Sequence, residues 1–327
     1  MRNVGLVGCG AIARVHVAVL HSLPEVQLCA CCDIKRDRAE ELAREDGCAV
    51  YENYTEMLEK EKPDVVHLCV PHYLHVPMAE EAAERGIAVF TEKPPAIDRD
   101  QWARLRRAAE SVPVGICFQN RYNPNIRAAR EMIGSGAYGA LTGARAFVTW
   151  HRDAPYYLDS GWRGRLATEG GGALINQAIH TLDLLVWIMG KPEKAEGLLG
   201  NHHLAGQTEV EDTAAVYMLL GGRPALLYAS NAYAADAPVM IEFRLEKATL
   251  RLEGNGLDIM TPEGTEHRTF MVPETLGKGY WGNGHLPCIA DFYRSLEERR
   301  AYQNNVDSVA DTMEVLMQVY EKGREMP

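Results

Sequence analysis

From residue 1 to about 120, apolar side chains come in short, evenly spaced runs: Val4 to Val7, Val26 to Cys32, Val65 to Val70, Ile87 to Phe90 and Val114 to Phe118. Each run is short and bounded by polar or turn residues, which predicts a buried strand. Amphipathic stretches such as Arg36 to Arg44 and Pro77 to Arg85 lie between them and carry the period of a surface helix. Strand and helix in alternation predict βαβ units with right-handed crossovers, and hence a doubly wound parallel sheet.

The pattern changes after Asn123-Pro124. A helix to about Ile133 is followed by a strand from Leu141 to Trp150 and a polar, aromatic loop from His151 to Glu169. Three glycines then open a helix that ends near Met189. Strands follow at about Asp212 to Leu220, Ala225 to Asn231, Val239 to Leu245, Thr249 to Glu253 and His267 to Val272. The turns Gly221-Gly222-Arg223-Pro224 and Glu253-Gly254-Asn255-Gly256 predict antiparallel pairing. Helices at about Gly284 to Arg299 and Val306 to Gly323 close the chain. The expected fold class is α/β: a doubly wound parallel sheet over residues 1–121, then an α+β domain over 122–327 with a large, mainly antiparallel open sheet.

Composition agrees with two cores: 327 residues exceed the usual size of one. With 34 basic and 45 acidic residues the net charge is -11, which repels a phosphodiester backbone and argues against nucleic acid as a partner. No segment approaches the ~20 apolar residues of a membrane span, so no membrane partner is expected. Met1 to Cys9 imitates a short lipoprotein signal, but its apolar stretch falls short of the ~7 residues a signal core needs and reads as a strand. The eight cysteines are scattered without a pair of CxxC units, which fits buried thiols in a reducing, cytoplasmic setting. His202-His203 lacks a third ligand nearby, and no metal is expected.

Gly8-Cys9-Gly10-Ala11-Ile12-Ala13 follows the first strand and opens a helix, matching GxGxxG/A. Gly8 permits the tight turn, Gly10 lets the backbone approach a pyrophosphate, and Ala11 and Ile12 begin the helix whose N-terminus would face it. Asp33, 20 residues beyond Ala13 at the end of the second strand, is placed to accept adenosine ribose hydroxyls. A carboxylate there repels a 2′-phosphate and favours NAD. Lys35, Arg36 and Arg38 could neutralise that phosphate and keep NADP open. Pro71, His72 and His75 follow the next strand at the same edge and would line the crevice, His75 equally well as a packing residue.

Glu92-Lys93-Pro94 follows the run Ile87 to Thr91. The lysine thus sits at the carboxyl end of a strand, where open α/β sheets bind ligands. Its ammonium can hold a substrate hydroxyl and the oxygen charge that develops during hydride transfer. In the second region, Gly170-Gly171-Gly172 opens a helix with Asn176, His180 and Asp183 at i, i+4 and i+7, one polar line on an apolar helix. Histidine is suited to take an alcohol proton near neutral pH. Asp183 either orients that imidazole or ties down the helix.

GxGxxA with Asp33, then Glu92-Lys93-Pro94, then GGG-x3-Asn-x3-His-x2-Asp resemble the Gfo/Idh/MocA oxidoreductase family over nearly the whole chain. The resemblance implies a Rossmann domain followed by a domain whose open sheet often serves a homodimer or homotetramer. It implies NAD, with NADP as the alternative, and hydride transfer at a carbon of a sugar, polyol or sugar derivative, with Lys93 and His180 as the catalytic pair. It places Glu92, Gln119, Trp162 and Arg163 on the nicotinamide side. Arg163 also serves as a substrate contact with Asn176, and Tyr122, Tyr157 and His285 serve either as substrate contacts or as packing. Many sugar and inositol dehydrogenases of the family carry Asp where this chain has Asn176. An amide cannot accept a proton, so His180 must pass its proton elsewhere. A dinucleotide-sensing regulator and an NAD-dependent glycosidase are the other functions compatible with these motifs.

Overall fold

In the computed structural model, residues 1–271 and 284–325 are described, and they divide into two compact units. In the first, β1 (Arg2–Val7), β2 (Val26–Cys32), β3 (Ala49–Tyr51), β4 (Val65–Leu68), β5 (Ala88–Thr91) and β6 (Val114–Ile116) form a parallel sheet. Its order is β3-β2-β1-β4-β5-β6. Helices α1 (Ala11–His21), α2 (Arg36–Ala43), α3 (Tyr54–Glu61), α4 (His75–Glu84) and α5 (Arg99–Ala108) provide the crossovers. Val4, Leu6, Val66, Leu68, Val89 and Phe90 are all fully buried. Both faces of the sheet are covered, which is why these strands read as continuous apolar runs. The order reverses between β1 and β4, and the loops after those strands diverge to leave a crevice at the carboxyl edge.

The second unit begins with α6 (Pro124–Ser135), which starts on a proline and ends at Gly136 with φ +70°. After β7 (Leu141–Thr149), the expected loop contains two short helices, α7 (Ala154–Leu158) and α8 (Leu166–Glu169). A π-helical stretch, Ala173–Ala178, leads into α9 (Ile179–Met189). Then come β8 (Pro192–Gly200), β9 (Thr213–Leu220), β10 (Arg223–Ser230), β11 (Met240–Leu245), β12 (Thr249–Glu253), β13 (Gly256–Thr261) and β14 (Gly264–Thr269). Helix α10 (His285–Glu298) belongs to the first unit, whereas α11 (Ala310–Lys322) and β15 (Arg324–Glu325) return to the second. The nine strands lie in the order β14-β13-β12-β11-β7-β10-β9-β8-β15. Pairing is antiparallel except for β7 with β10 and β8 with β15.

Three expectations need correction. The single boundary after residue 121 gives way to one after Gln119, with 284–308 folding into the first unit. Cys288, Ile289 and Phe292 of α10 are fully buried there. Phe292 packs 5.1 Å from the ring of Phe90 and occupies the space a side chain at Gly115 would need, with Cδ2 2.6 Å from its Cβ position. Next, the stretch Leu166 to Met189 has the length and apolar composition of a membrane span, but Gly170–Gly172 interrupt it between α8 and the π-helical turn, and 78% of its most apolar window is buried in the fold. Finally, the β13–β14 hairpin replaces the single strand expected near His267 to Val272, of which residue 272 lies outside the described residues, and β8 is an additional strand outside the expected set.

Candidate active site

The glycine turn after β1 is built as its spacing requires. Gly8 has φ +83°, and a Cβ there would sit 2.5 Å from the carbonyl oxygen of Cys69 in the loop after β4. Only glycine lets the two lips of the crevice meet. A Cβ on Gly10 would meet no protein atom within 4 Å, and no side chain caps the first turn of α1. Ala11 is exposed and Ile12 half-buried. The first-turn N–H groups therefore face open space, the geometry that binds a pyrophosphate. Asp33 ties the turn to the end of β2, its Oδ2 accepting from Cys9 N–H at 2.8 Å and its Oδ1 from Lys35 N–H at 2.8 Å. A carboxylate has about four acceptor positions, so capacity remains for a ribose diol. These residues fit a dinucleotide.

Along the same edge, His72 is buried at 4% exposure and Pro71 half-buried. His75 is a different matter. It is 1% exposed, and its ring nitrogens lie 2.7 Å from the carbonyl oxygen of Pro94 and 2.9 Å from that of Val70. The structure thus makes His75 a tie between the loops after β4 and β5 and leaves it no nitrogen for a cofactor.

Lys93 is half-buried in the loop directly after β5. Beside it, Glu92 is buried and lies 3.0 Å from His16 Nε2, so it serves α1 and not a ligand. His16 Nδ1 meets His67 Nδ1 at 2.9 Å, and His67 Nε2 meets the Tyr293 hydroxyl at 2.8 Å. Burial would raise Glu92, but the hydrogen bond and charge of His16, with His285 and Lys93, outweigh it and hold the carboxyl well below the usual range. Burial pushes His67 well down and His285 down to about 4. His285 lies in the first unit, its ring 6.5 Å from that of His16. Its side chain is 4% exposed, which makes it a core residue of the Rossmann unit. His16, Glu92 and Cys117 bring ligand atoms within 4.8 Å of one another, a grouping hidden by sequence separation, although both His16 nitrogens are already engaged. Gln119, buried, closes this edge with its Oε1 3.8 Å from Cys117 Sγ.

In the second unit the three glycines seat a buried carboxylate. A Cβ on Gly172 would fall 1.9 Å from the carbonyl oxygen of Glu211. Glu211 accepts from Gly172 N–H at 2.8 Å, Leu174 N–H at 2.9 Å and the Tyr320 hydroxyl at 2.8 Å. The π turn over Ala173–Ala178 shifts the helical register between Asn176 and His180, so the expected polar line divides. Asp183 is 1% exposed and accepts from Arg121 Nε at 2.7 Å, Arg121 Nη2 at 2.6 Å and Thr312 Oγ1 at 2.8 Å. It ties down α9. Asn176 turns the other way, donating from Nδ2 to Glu169 Oε1 at 2.6 Å. His180 is half-buried at the start of α9.

Tyr157 and Tyr122, open in the sequence between substrate contact and packing, take the packing alternative. Tyr157 is fully buried against Leu204 and Val210, with its hydroxyl 2.8 Å from Asn231 Nδ2. Tyr122 is 5% exposed with Arg127 stacked 4.6 Å from its ring. Both are packing residues. Tyr156 takes the place expected of Tyr157: its hydroxyl lies 3.2 Å from Gln177 Nε2 and 3.5 Å from Asn176 Nδ2. Adjacent residues in a helical turn point about 100° apart, a distinction that the pair Tyr-Tyr conceals. Arg163 stacks 4.5 Å from the Tyr156 ring and 4.7 Å from the half-buried Trp162, and its buried Nε makes no hydrogen bond. Glu169, missed in the sequence because it ends the loop as a lone acid, is fully buried and pushed up to about 7, chiefly by burial. A cavity of about 710 Å³ is lined by Arg2, Lys62, Asp64 and Arg85 at the amino edge of the first sheet, opposite the edge where such sheets bind dinucleotides.

Residues 2–118 match the family model for an oxidoreductase family with an NAD-binding Rossmann fold, and residues 126–251 match the Gfo/Idh/MocA C-terminal domain. The chain belongs to the Gfo/Idh/MocA oxidoreductase family. Among its relatives, D-glucoside 3-dehydrogenase of Escherichia coli is 30% identical over 196 residues, 58% of this chain and 54% of that protein. Inositol 2-dehydrogenase of Rubrobacter xylanophilus is 29% identical over 192 residues, 57% and 52% of the two chains. The chain spans about half the length of the curated relatives it matches. Among solved structures, the WlbA dehydrogenase from Bordetella pertussis in complex with NADH and UDP-GlcNAcA aligns with a TM-score of 0.84 and 25% identity, covering 98% of this chain and 95% of that one.

Proposed function

We propose that this Gfo/Idh/MocA protein is an NAD(P)-dependent dehydrogenase or reductase acting on a CH–OH carbon of a sugar, polyol or sugar derivative. The observation that carries this reading is the placement of Lys93, directly after β5 at the sheet edge that also bears the Gly8–Gly10 turn and Asp33. Relatives named for a glucoside and an inositol support the substrate class. Gly8, Gly10, Ala11, Ile12 and Asp33 would hold the dinucleotide, whose nicotinamide supplies the hydride acceptor or donor when bound. The two backbone bonds that fix the Asp33 carboxylate favour NAD over its 2′-phosphorylated form.

Within this reading Lys93 Nζ donates to the reacting oxygen and stabilises the negative charge that grows there. A ring nitrogen of His180 takes the hydroxyl proton as the C–H bond breaks and the carbonyl forms, and returns it in the reverse direction. Trp162 and Arg163 contribute the aromatic and cationic wall, and Asn176 orients a neighbouring hydroxyl. Sugars, inositols and sugar acids screened with NAD and NADP by nicotinamide absorbance should yield turnover with at least one. Lys93→Ala and His180→Ala should each lower kcat by about 10²-fold or more while dinucleotide affinity is kept. Unchanged turnover in either variant would overturn the assignment.

A further inference from the structure

Asn176 stands where many sugar and inositol dehydrogenases of the family carry an aspartate, yet a carboxylate is only one hydrogen bond away. Glu169 closes α8, is fully buried, and points Oε1 at Asn176 Nδ2 across 2.6 Å while Oε2 accepts from Gly164 N–H at 2.6 Å. An ionised carboxylate only accepts, so the amide must show it the NH2 end. We propose that Glu169 is a positioning residue: its carboxylate holds the Asn176 amide so that the carbonyl oxygen is the end offered to a substrate hydroxyl.

This inference rests on the functional reading above, with Asn176 at the substrate. It adds a dependence that Asn176 alone does not have. When Glu169 takes a proton on Oε1 it becomes a donor there, and the amide turns over to present its oxygen to the acid. The substrate then meets an NH2 group in place of an acceptor. The ionisation that controls this falls near neutrality. Burial raises Glu169 to about 7, the Gly164 N–H, Asn176 and Arg163 acting against that rise and Glu211 with it. Tyr156, whose hydroxyl lies 3.5 Å from Asn176 Nδ2, and the buried Tyr157 and Tyr320 are further titratable groups around it.

The amide itself can be followed without a substrate. In full-length protein labelled at asparagine, the Asn176 side-chain resonances should titrate through about pH 7, and Glu169→Gln should abolish that titration. A flat Asn176 signal in the wild type overturns the proposal, whatever the protein turns over. Steady-state kinetics on a substrate found by the screen then test the consequence. In the wild type, KM should rise as pH falls through 7, with a smaller change in kcat. In Glu169→Gln, KM should be about tenfold higher at alkaline pH, the worth of one hydrogen bond to a charged group, and independent of pH. Exchanging the two functions in the double variant Glu169→Gln/Asn176→Asp should restore most of the lost affinity. A purely structural Glu169 would give equal losses in both variants and an unshifted pH profile. Failure of the functional reading shows differently, as an absence of turnover with the amide titration intact.

Discussion

Two buried groups give this protein opposite responses to pH. His285 is held neutral, its pKa pushed down to about 4 by burial. A depressed histidine contributes stability that is present above its unfolded value of about 6.5 and is lost as pH falls through the folded one. Glu169 is raised to about 7, so its contribution is complete below about 4.5 and is lost as pH rises toward 7. Each shift corresponds to something on the order of 3 kcal/mol, and in the wild type the two slopes partly cancel between about pH 4.5 and 6.5. Single variants should separate them. His285→Gln is expected to lose stability less steeply on acidification, and Glu169→Gln to lose it less steeply between about pH 4.5 and 7, both read from melting temperatures across that range. Parallel profiles in wild type and variants would show that neither group is shifted.

At the scale of elements, the helix carrying His180 depends on a charge pair that the sequence half disclosed. Asp183 was legible as a polar residue on an apolar helix, but its partner Arg121 lies 62 positions away. Both side chains are 1% exposed. Asp183→Asn should cost about 3–5 kcal/mol in urea unfolding, because it removes the charge from one side of a buried, hydrogen-bonded ion pair. A loss under about 1 kcal/mol would mean that water reaches the pair. The same contrast governs what could be read beforehand. Strands β1, β2, β4, β5 and β6 announced themselves because most of their positions are buried on both faces and filled by apolar residues. β3 did not, since its three residues are all half-buried at a sheet edge. Gly8, Gly10, Asp33 and Lys93 were legible because backbone geometry dictates where they must stand in a doubly wound sheet. Tyr156 and Glu169 were not, because the direction of a side chain in a short helix and the neighbour of a lone carboxylate are decided by packing.

The molecule as a whole is built from a chain that leaves its first unit at Gln119 and comes back to it for 284–308. The return does more than add a helix. Ile116 N–H donates to the carbonyl oxygen of Asn304 at 3.0 Å, and Asn304 Nδ2 donates to that of Phe118 at 3.0 Å. Gly115 pairs with Asn305, so this segment covers the edge of β6, which would otherwise offer unpaired backbone groups. A fragment ending at residue 119 should therefore be insoluble or molten, with far weaker dinucleotide binding than the full chain. Supplying the stretch 284–308 in the same polypeptide through a short linker should recover a cooperative thermal transition. A well-folded fragment without it would show that the edge needs no cover.

That returning stretch also sets a rule for anyone who would re-engineer the protein. A donor nucleotide-binding module cannot be spliced in at one junction, because part of its own core is encoded some 165 residues downstream of Gln119. Changing cofactor preference by recombination thus calls for three crossover points inherited together, one after Gln119 and one on each side of the returning stretch, and libraries built on a single one should yield chimaeras that fail before their chemistry can be assayed.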